Sequence, residues 1–174
     1  FLLNGMSVLS LGVGRNQSQT GEKIMSCEPG MSKLEIVSRR VLPFSRERLW
    51  DAFANPDHLA RWWGPHGFTN TIDEFDLREG GTWRFTMHGP NGAHYPNEKK
   101  FLEVKPLSRV VFEHIGPMHR FLMTMIYTDL GKSSELNWQM VFDSPTDPAN
   151  LKKFIEGANE ENFDRLEEYL KNLQ

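Results

Sequence analysis

The chain has 174 residues, of which 39% are hydrophobic and 25% charged, and its formal net charge is −3. This length is typical of one domain with a sizeable core, and the nearly balanced charge argues against nucleic-acid binding. The single cysteine, Cys27, excludes an internal disulfide and a cysteine zinc site, which suits a reducing cytoplasm. No apolar run approaches the length of a membrane span, so no membrane partner is expected.

The first 30 residues lack the hydrophobic periodicity of the rest of the chain. They are polar and rich in turn-forming residues, and their opening is too short and too interrupted for a signal peptide. We therefore expect a flexible arm at residues 1–30 and one domain at residues 31–174.

From residue 34 onward the hydrophobic pattern predicts the elements in order. Alternation predicts a strand at 34–42, Ser45 can then cap a helix that ends near residue 54, and Asn55 with Pro56 starts a short helix ending at Trp63. Further strands are predicted at 68–77, 82–88, 94–104, 109–114, 120–128 and 135–142. Because no strand alternates with a long helix, the sheet should be antiparallel and the fold class α+β.

The last segment, at 147–173, has the 3.6-residue period of a long helix capped by Asp147. Its apolar residues are Leu151, Phe154, Ile155, Ala158, Leu166, Tyr169, Leu170 and Leu173. Gly157, Asn159 and Asn162 interrupt this stripe in its middle. A helix of this length on a curved sheet should leave space between the two.

Two adjacent tryptophans end the second short helix and precede a Gly-Pro-His-Gly turn. Trp62 and Trp63 cannot both point from one helix face, so at least one should cover a sheet edge or a pocket mouth. Strand alternation then predicts the side chains around the enclosed space. The candidate ligand-binding residues are Trp62, Trp63, Phe68, Trp83, Phe85, Met87, Tyr95, Phe112, His114, Met123, Met125, Tyr127, Trp138 and Met140. Met suits ligands of irregular shape, although the same residues could instead form a filled core.

Polar candidates are few. His114 is either a polar anchor in the cavity or a histidine satisfied by Tyr127 or by backbone. His88 and His94 could face each other across a hairpin, but two histidines are an incomplete metal site. The pairs Lys99-Lys100 and Arg39-Arg40 are expected to be solvated. Neither a nucleophile motif nor a phosphate-binding loop is evident, so no catalytic residue, metal or cofactor is expected.

Six short motifs occur in one order along the chain: Leu49–Phe53, Asn55–Trp63, Gly80–Trp83, Glu103–Pro106, Val110–Phe112 and Asp164–Leu170. In this combination the chain resembles the activator of Hsp-90 ATPase homologue family, within the SRPBCC or START-like superfamily. The resemblance implies a helix-grip fold, in which a curved antiparallel sheet wraps a long C-terminal helix and two short helices close one end. The gap then becomes an elongated cavity. His94 departs from the acidic residue that the family's pattern has before Tyr95.

Three functions are compatible with these observations. The first is a cytoplasmic protein that binds a hydrophobic or amphipathic small molecule between the sheet and the C-terminal helix. The second is an enzyme similar to polyketide cyclases and aromatases, which would need several inward acid–base groups. The third, implied by the family resemblance, is a co-chaperone that activates a chaperone ATPase. The residues favour binding over catalysis, and both a chaperone partner and a homodimer stay open.

Overall fold

The computed structural model describes residues 33–116, 120–143 and 145–173, so the expectation for the arm at 1–30 lies outside the described residues. The described elements are β1 (Lys33–Leu42), α1 (Arg46–Ala54), α2 (Pro56–Trp62), β2 (Thr69–Phe75), β3 (Thr82–His88), β4 (His94–Lys105), β5 (Arg109–Ile115), β6 (Arg120–Asp129), β7 (Ser134–Asp143) and α3 (Pro148–Asn172). Each corresponds to a predicted element, with bounds that differ by at most two residues.

These strands form one curved antiparallel sheet in the order β1-β7-β6-β5-β4-β3-β2. Strands β2 to β7 follow one another as neighbours, whereas β1 pairs with β7, from Lys33 opposite Asp143 to Leu42 opposite Ser134. The long helix α3 packs against β1, and α1 and α2 contact both α3 and the sheet. The antiparallel helix-grip fold that was predicted is therefore confirmed.

The helices begin where the sequence predicts. The Ser45 hydroxyl accepts a hydrogen bond from the Arg48 amide at 3.3 Å, and Asn55 Oδ1 accepts one from the Asp57 amide at 3.0 Å. Asp147 caps α3 through Asn150 N at 3.2 Å. Such caps satisfy amide groups that have no partner within their helix. No helix in the described ranges combines the length and the apolar character needed to cross a membrane.

The core lies between the sheet and α3, which buries Leu151, Ile155, Phe163, Leu166 and Leu170. Phe154, expected in the apolar stripe, is instead exposed, whereas Phe163 is buried outside the predicted stripe. One of the polar residues that interrupt the stripe joins α3 to the sheet. Buried Asn159 donates a hydrogen bond from Nδ2 to Ser38 Oγ on β1 at 3.1 Å.

The turn between β2 and β3 requires its two glycines. Gly80 has a φ of 75°, and a Cβ on Gly81 would lie 1.9 Å from the carbonyl oxygen of Asp76. Hydrogen bonds join this turn to Phe101 of β4, from Gly80 N to Phe101 O at 2.8 Å and from Phe101 N to Gly81 O at 3.0 Å. The turn therefore fixes the register that places Trp83 opposite Lys99.

Candidate ligand-binding site

Both adjacent tryptophans are buried, and the end of α2 explains how. The helix ends at Trp62, and Trp63 is its C-cap, with extended backbone angles of φ −62° and ψ 132°. The change of direction turns the Trp63 ring onto the sheet, 4.9 Å from Trp83 and 5.3 Å from Trp138 between ring centroids. Trp62 is anchored separately, since its Nε1 donates to Ala52 O of α1 at 2.8 Å. Trp63 thus lies on the inner face of the sheet, against β3 and β7, whereas the sequence suggested a sheet edge or a pocket mouth for one of the pair.

The aromatic rings continue from α2 across the sheet to α3. Trp83 stacks on Phe85 at 4.6 Å and meets Phe112 edge-on at 5.8 Å. On the other side of Trp63, Trp138 packs against Phe163 of α3 at 4.7 Å. The interior is therefore one connected aromatic layer between the sheet, α2 and α3.

Lys99 lies inside this layer and is only 4% exposed. Its Nζ faces four rings, at 4.1 Å from the centroid of Trp83, 4.3 Å from Trp63, 4.6 Å from Phe112 and 5.0 Å from Phe85. Among the described residues no carboxylate forms an ion pair with it. Burial alone lowers the pKa of the Lys99 amine well below its ordinary value.

Three further donors in the interior are buried without a hydrogen-bond partner in the described part of the chain: Trp83 Nε1, Trp138 Nε1 and the Tyr127 hydroxyl. An indole N–H can only donate, so only an acceptor can satisfy it. Burial also raises the pKa of Tyr127, whose hydroxyl therefore stays protonated. The acceptor Asn70 Oδ1 is likewise unpaired, while Asn70 Nδ2 donates to Trp63 O at 2.6 Å.

Helix α3 holds the segment that follows α2. The Arg165 guanidinium donates to the carbonyl oxygens of Arg61 (2.9 Å), Trp63 (3.2 Å), Gly64 (2.7 Å) and Pro65 (3.0 Å). Asn162 Oδ1 accepts from Gly64 N at 2.6 Å, and Glu161 accepts from His66 N at 2.9 Å. We call residues 61–66 the lid segment, because they cover the aromatic layer and are bonded to α3 by these three side chains.

The remaining predicted residues occupy the same face. Met87, Met123, Met125 and Met140 are buried along β3, β6 and β7. Phe68 and Tyr95 are half-buried with ring centroids 6.2 Å apart, near the hairpin of β3 and β4. Tyr127 lies at the opposite end of the sheet, edge-on to Trp50 at 5.6 Å.

His114 is half-buried and stacks on Phe121, with centroids 4.8 Å apart. It lies opposite Lys99 in the β4–β5 register. Tyr127 is six residues beyond Phe121 on β6, so the structure does not bring Tyr127 to His114.

His88 and His94 face each other across the hairpin, with their Nδ1 atoms 2.7 Å apart. Thr71 Oγ1 lies 2.8 Å from the Nε2 atom of His88. No group of three or more potential metal ligands occurs among the residues that the structure describes.

An open groove of about 490 Å³ runs along the outer side of α3. Its lining includes Pro65, Phe154, Gly157, Ala158 and Glu161. It therefore lies beside the lid segment, where α3 carries no side chain at Gly157.

The family model described as activator of Hsp90 ATPase homolog 1-like protein matches residues 43–171. The chain belongs to this family. The match includes α1, α2, the strands β2 to β7 and nearly all of α3, so every element around Lys99 lies within it. No curated protein matches the chain.

Three solved structures of bacterial proteins illustrate the fold that this chain shares with other proteins. A protein from Chromobacterium violaceum superposes with a TM-score of 0.69 at 22% identity, covering 80% of this chain and 98% of that one. A protein from Arthrobacter aurescens gives 0.71 at 17% identity, with 80% and 87% covered. The Mycobacterium smegmatis protein Ms6760 gives 0.69 at 18% identity, with 81% and 93% covered. At these identities the likeness concerns the fold alone.

The interpretation of Lys99 as a solvated residue was wrong. Phe101 is buried on the same strand two positions later, so alternation from Phe101 would have placed Lys99 on the inner face. The Lys99-Lys100 doublet obscured that signal, because paired lysines are usually exposed. Arg39 is exposed as expected, and Arg40 is partly exposed and forms ion pairs with Glu160 and Asp164 of α3.

Proposed function

We propose that this protein binds a hydrophobic or amphipathic small molecule between the sheet and α3, without covalent chemistry. The observation that carries the proposal is the aromatic layer around Lys99, in which several buried donors have no acceptor among the described residues. Buried polar groups without partners are rare in folded proteins, and a ligand is one of the groups that can satisfy them.

The chemistry of the lining supports the same function. Small-molecule sites are mostly apolar and aromatic, with a few polar groups that orient the ligand. Met123, Met125 and Met140 can change shape with little strain, because their side chains are unbranched. A ligand could therefore be accommodated by repacking of these side chains.

An enzyme similar to polyketide cyclases is less well supported. Such chemistry needs acid and base groups on opposite walls of a cavity. The carboxylates closest in sequence to Lys99 are instead engaged at the surface, Glu98 with Arg84 at 3.5 Å and Glu103 with Lys105 at 2.6 Å.

The family description favours a second candidate, a co-chaperone that stimulates a chaperone ATPase. Ligand binding requires space in the interior, whereas a co-chaperone function does not, because a chaperone would contact the surface of this protein. Addition of the purified protein to an Hsp90 ATPase assay tests this candidate, and stimulation that persists in a variant with a filled interior would support it.

Met125→Trp tests the binding function by filling the interior from β6. We expect the fluorescence enhancement of N-phenyl-1-naphthylamine, a neutral apolar dye, to appear with the wild-type protein and to disappear with this variant. Overpacking should cost about 1–3 kcal/mol of stability, so circular dichroism should still show a folded protein.

Leu122→Trp is the matched control, because Leu122 lies on the same strand and is exposed on the outer face. It should bind the dye as the wild-type protein does. Dye binding with unchanged affinity in folded Met125→Trp would place the site elsewhere, and no binding by the wild-type protein would contradict the function.

A further inference from the structure

We propose that the ligand of this site is a hydrophobic molecule ending in a carboxylate, and that the Lys99 amine binds that carboxylate. This inference rests on the proposed function and adds the chemical class of the ligand. It depends on three features of the interior: an amine that has no counter-charge within the described ranges, further donors in the same aromatic layer, and apolar surroundings that limit the charge of the ligand.

The first feature is the isolation of the Lys99 amine. The outward residues on either side of it in β4, Glu98 and Lys100, belong to the other face of the sheet, as the 3.5 Å contact between Glu98 and Arg84 indicates. Glu113, opposite Lys100 on β5, is paired with Arg120 at 2.5 Å. A buried ammonium without a nearby anion is unfavourable, and an incoming carboxylate that is also hydrogen-bonded would offset part of that penalty.

The second feature is the set of donors that share the layer with Lys99. Trp63 contacts the rings of both Trp83 and Trp138, whose Nε1 atoms have no acceptor among the described residues. An ammonium group offers three N–H donors and each indole offers one. Donors of this kind match a ligand group with several acceptor positions, and an ionised carboxylate has about four.

The third feature is the apolar surroundings of Lys99, which limit the charge that a ligand can bring. Lys99 supplies at most one positive charge, and its surroundings are the faces of four aromatic rings. A monoanion would neutralise that charge, whereas a phosphate dianion would leave a negative charge buried among apolar groups. A carboxylate on an apolar chain or ring therefore fits better than a phosphate monoester, which is largely a dianion at neutral pH.

The test compares two ligands of equal chain length, decanoate and 1-decanol, in displacing N-phenyl-1-naphthylamine at pH 7.4. We expect wild-type protein to bind decanoate at least about tenfold more tightly than decanol, as for a hydrogen-bonded charge. Lys99→Met should lose this preference while its affinity for decanol stays within about threefold of wild type. Lys100→Met, the matched control on the other face of β4, should keep the preference.

A second measurement uses the wild-type protein, so it does not depend on whether a variant folds. In protein labelled with 13C at the lysine Cε position, the Lys99 signal should shift with decanoate and stay in place with decanol. Equal affinity of the wild-type protein for the two ligands, or an unchanged preference in Lys99→Met, would overturn the inference while leaving the proposed function intact. Failure of the dye and of both ligands to bind would overturn the two together.

Discussion

At the scale of single residues, two effects of opposite sign determine the free energy of the charged Lys99 amine in the interior. Removing an ammonium from water costs several kcal/mol even after the protein relaxes. The four ring faces return part of that cost, because desolvated cation–π contacts contribute roughly 2 kcal/mol. The balance is unfavourable without a ligand, which agrees with the lowered pKa of the amine.

Replacing Lys99 by Met should therefore stabilise the ligand-free protein at neutral pH, by on the order of 1–3 kcal/mol. The gain should depend on pH. In the unfolded chain lysine has a pKa of about 10.4, so between the lowered folded value and 10.4 the unfolded state binds more protons. Wild-type stability should rise with pH across that window, and the difference in Tm between the two proteins should narrow from pH 7 toward pH 10.

Differential scanning calorimetry of both proteins at several pH values measures this trend. Lys100→Met serves as the control, and its Tm difference from the wild type should stay constant with pH. A wild-type protein that is more stable than Lys99→Met at pH 7, by an amount independent of pH, would contradict the account of Lys99 as a destabilising buried amine.

Much of the inner face could be predicted from strand alternation. Trp83, Phe85, Phe112, Met125 and Trp138 were expected to face inward, and all are buried. Lys99 was missed because the usual preference of lysine for water was given more weight than its position in the strand. Whether these residues bind a ligand stays a prediction.

At the scale of elements, the attachment of the lid segment to α3 determines how the interior is closed. Arg165 alone bonds four backbone carbonyl oxygens at and beyond the end of α2. Those of Arg61 and Trp63 belong to the last turn and C-cap of the helix, where carbonyl oxygens have no partner within the helix. A ligand reaching Lys99 from the α2 side would have to break these bonds or pass beside them.

Arg165→Met should loosen the lid segment without unfolding the sheet. Hydrogen bonds from a charged donor are worth about 1.5–3 kcal/mol, so the amide hydrogens of Gly64 and His66 should exchange faster by a comparable free energy. Hydrogen exchange followed by mass spectrometry or NMR measures this, with amides of β6 as the internal reference.

Lys152→Met provides the control on the same helix, because the exposed Lys152 lies 3.8 Å from Glu156 and, among the described residues, forms no ion pair with the lid segment. Exchange in the lid segment should be unchanged in this control. Equal rates in wild type and Arg165→Met would show that other contacts hold the segment.

The elements themselves were largely predictable, because the caps and periodicities of this chain agree with the fold. The polar interruption of α3 was less informative from sequence. It suggested a gap against the sheet, but Asn159 and Asn162 are buried and bond Ser38 and Gly64. Such contacts join residues far apart in the chain, and single-sequence periodicity contains no information about them.

At the scale of the whole molecule, the sheet combines local and distant pairings. Strands β2 to β7 pair with their neighbours in sequence, whereas β1 pairs with β7 across most of the domain. Closing a long loop costs more entropy than closing a hairpin, so distant pairs form later. In pulsed hydrogen exchange during refolding, amides of the β3–β4 and β6–β7 pairs should become protected before those of β1. Protection of β1 in the earliest phase would contradict this order.

The same pairing has a consequence during synthesis on the ribosome. Strand β1 is translated before the rest of the described domain, but its partner is complete only when Asp143 has emerged. At about 5–20 residues per second, β1 waits on the order of 5–20 s with both edges unpaired. During that interval β1 is prone to aggregation, because it exposes four apolar side chains. Val37 and Val41 stay exposed in the folded protein, whereas Ile36 and Leu42 are buried only after folding. Nascent chains stalled before β7 should therefore aggregate or bind molecular chaperones more readily than the finished protein.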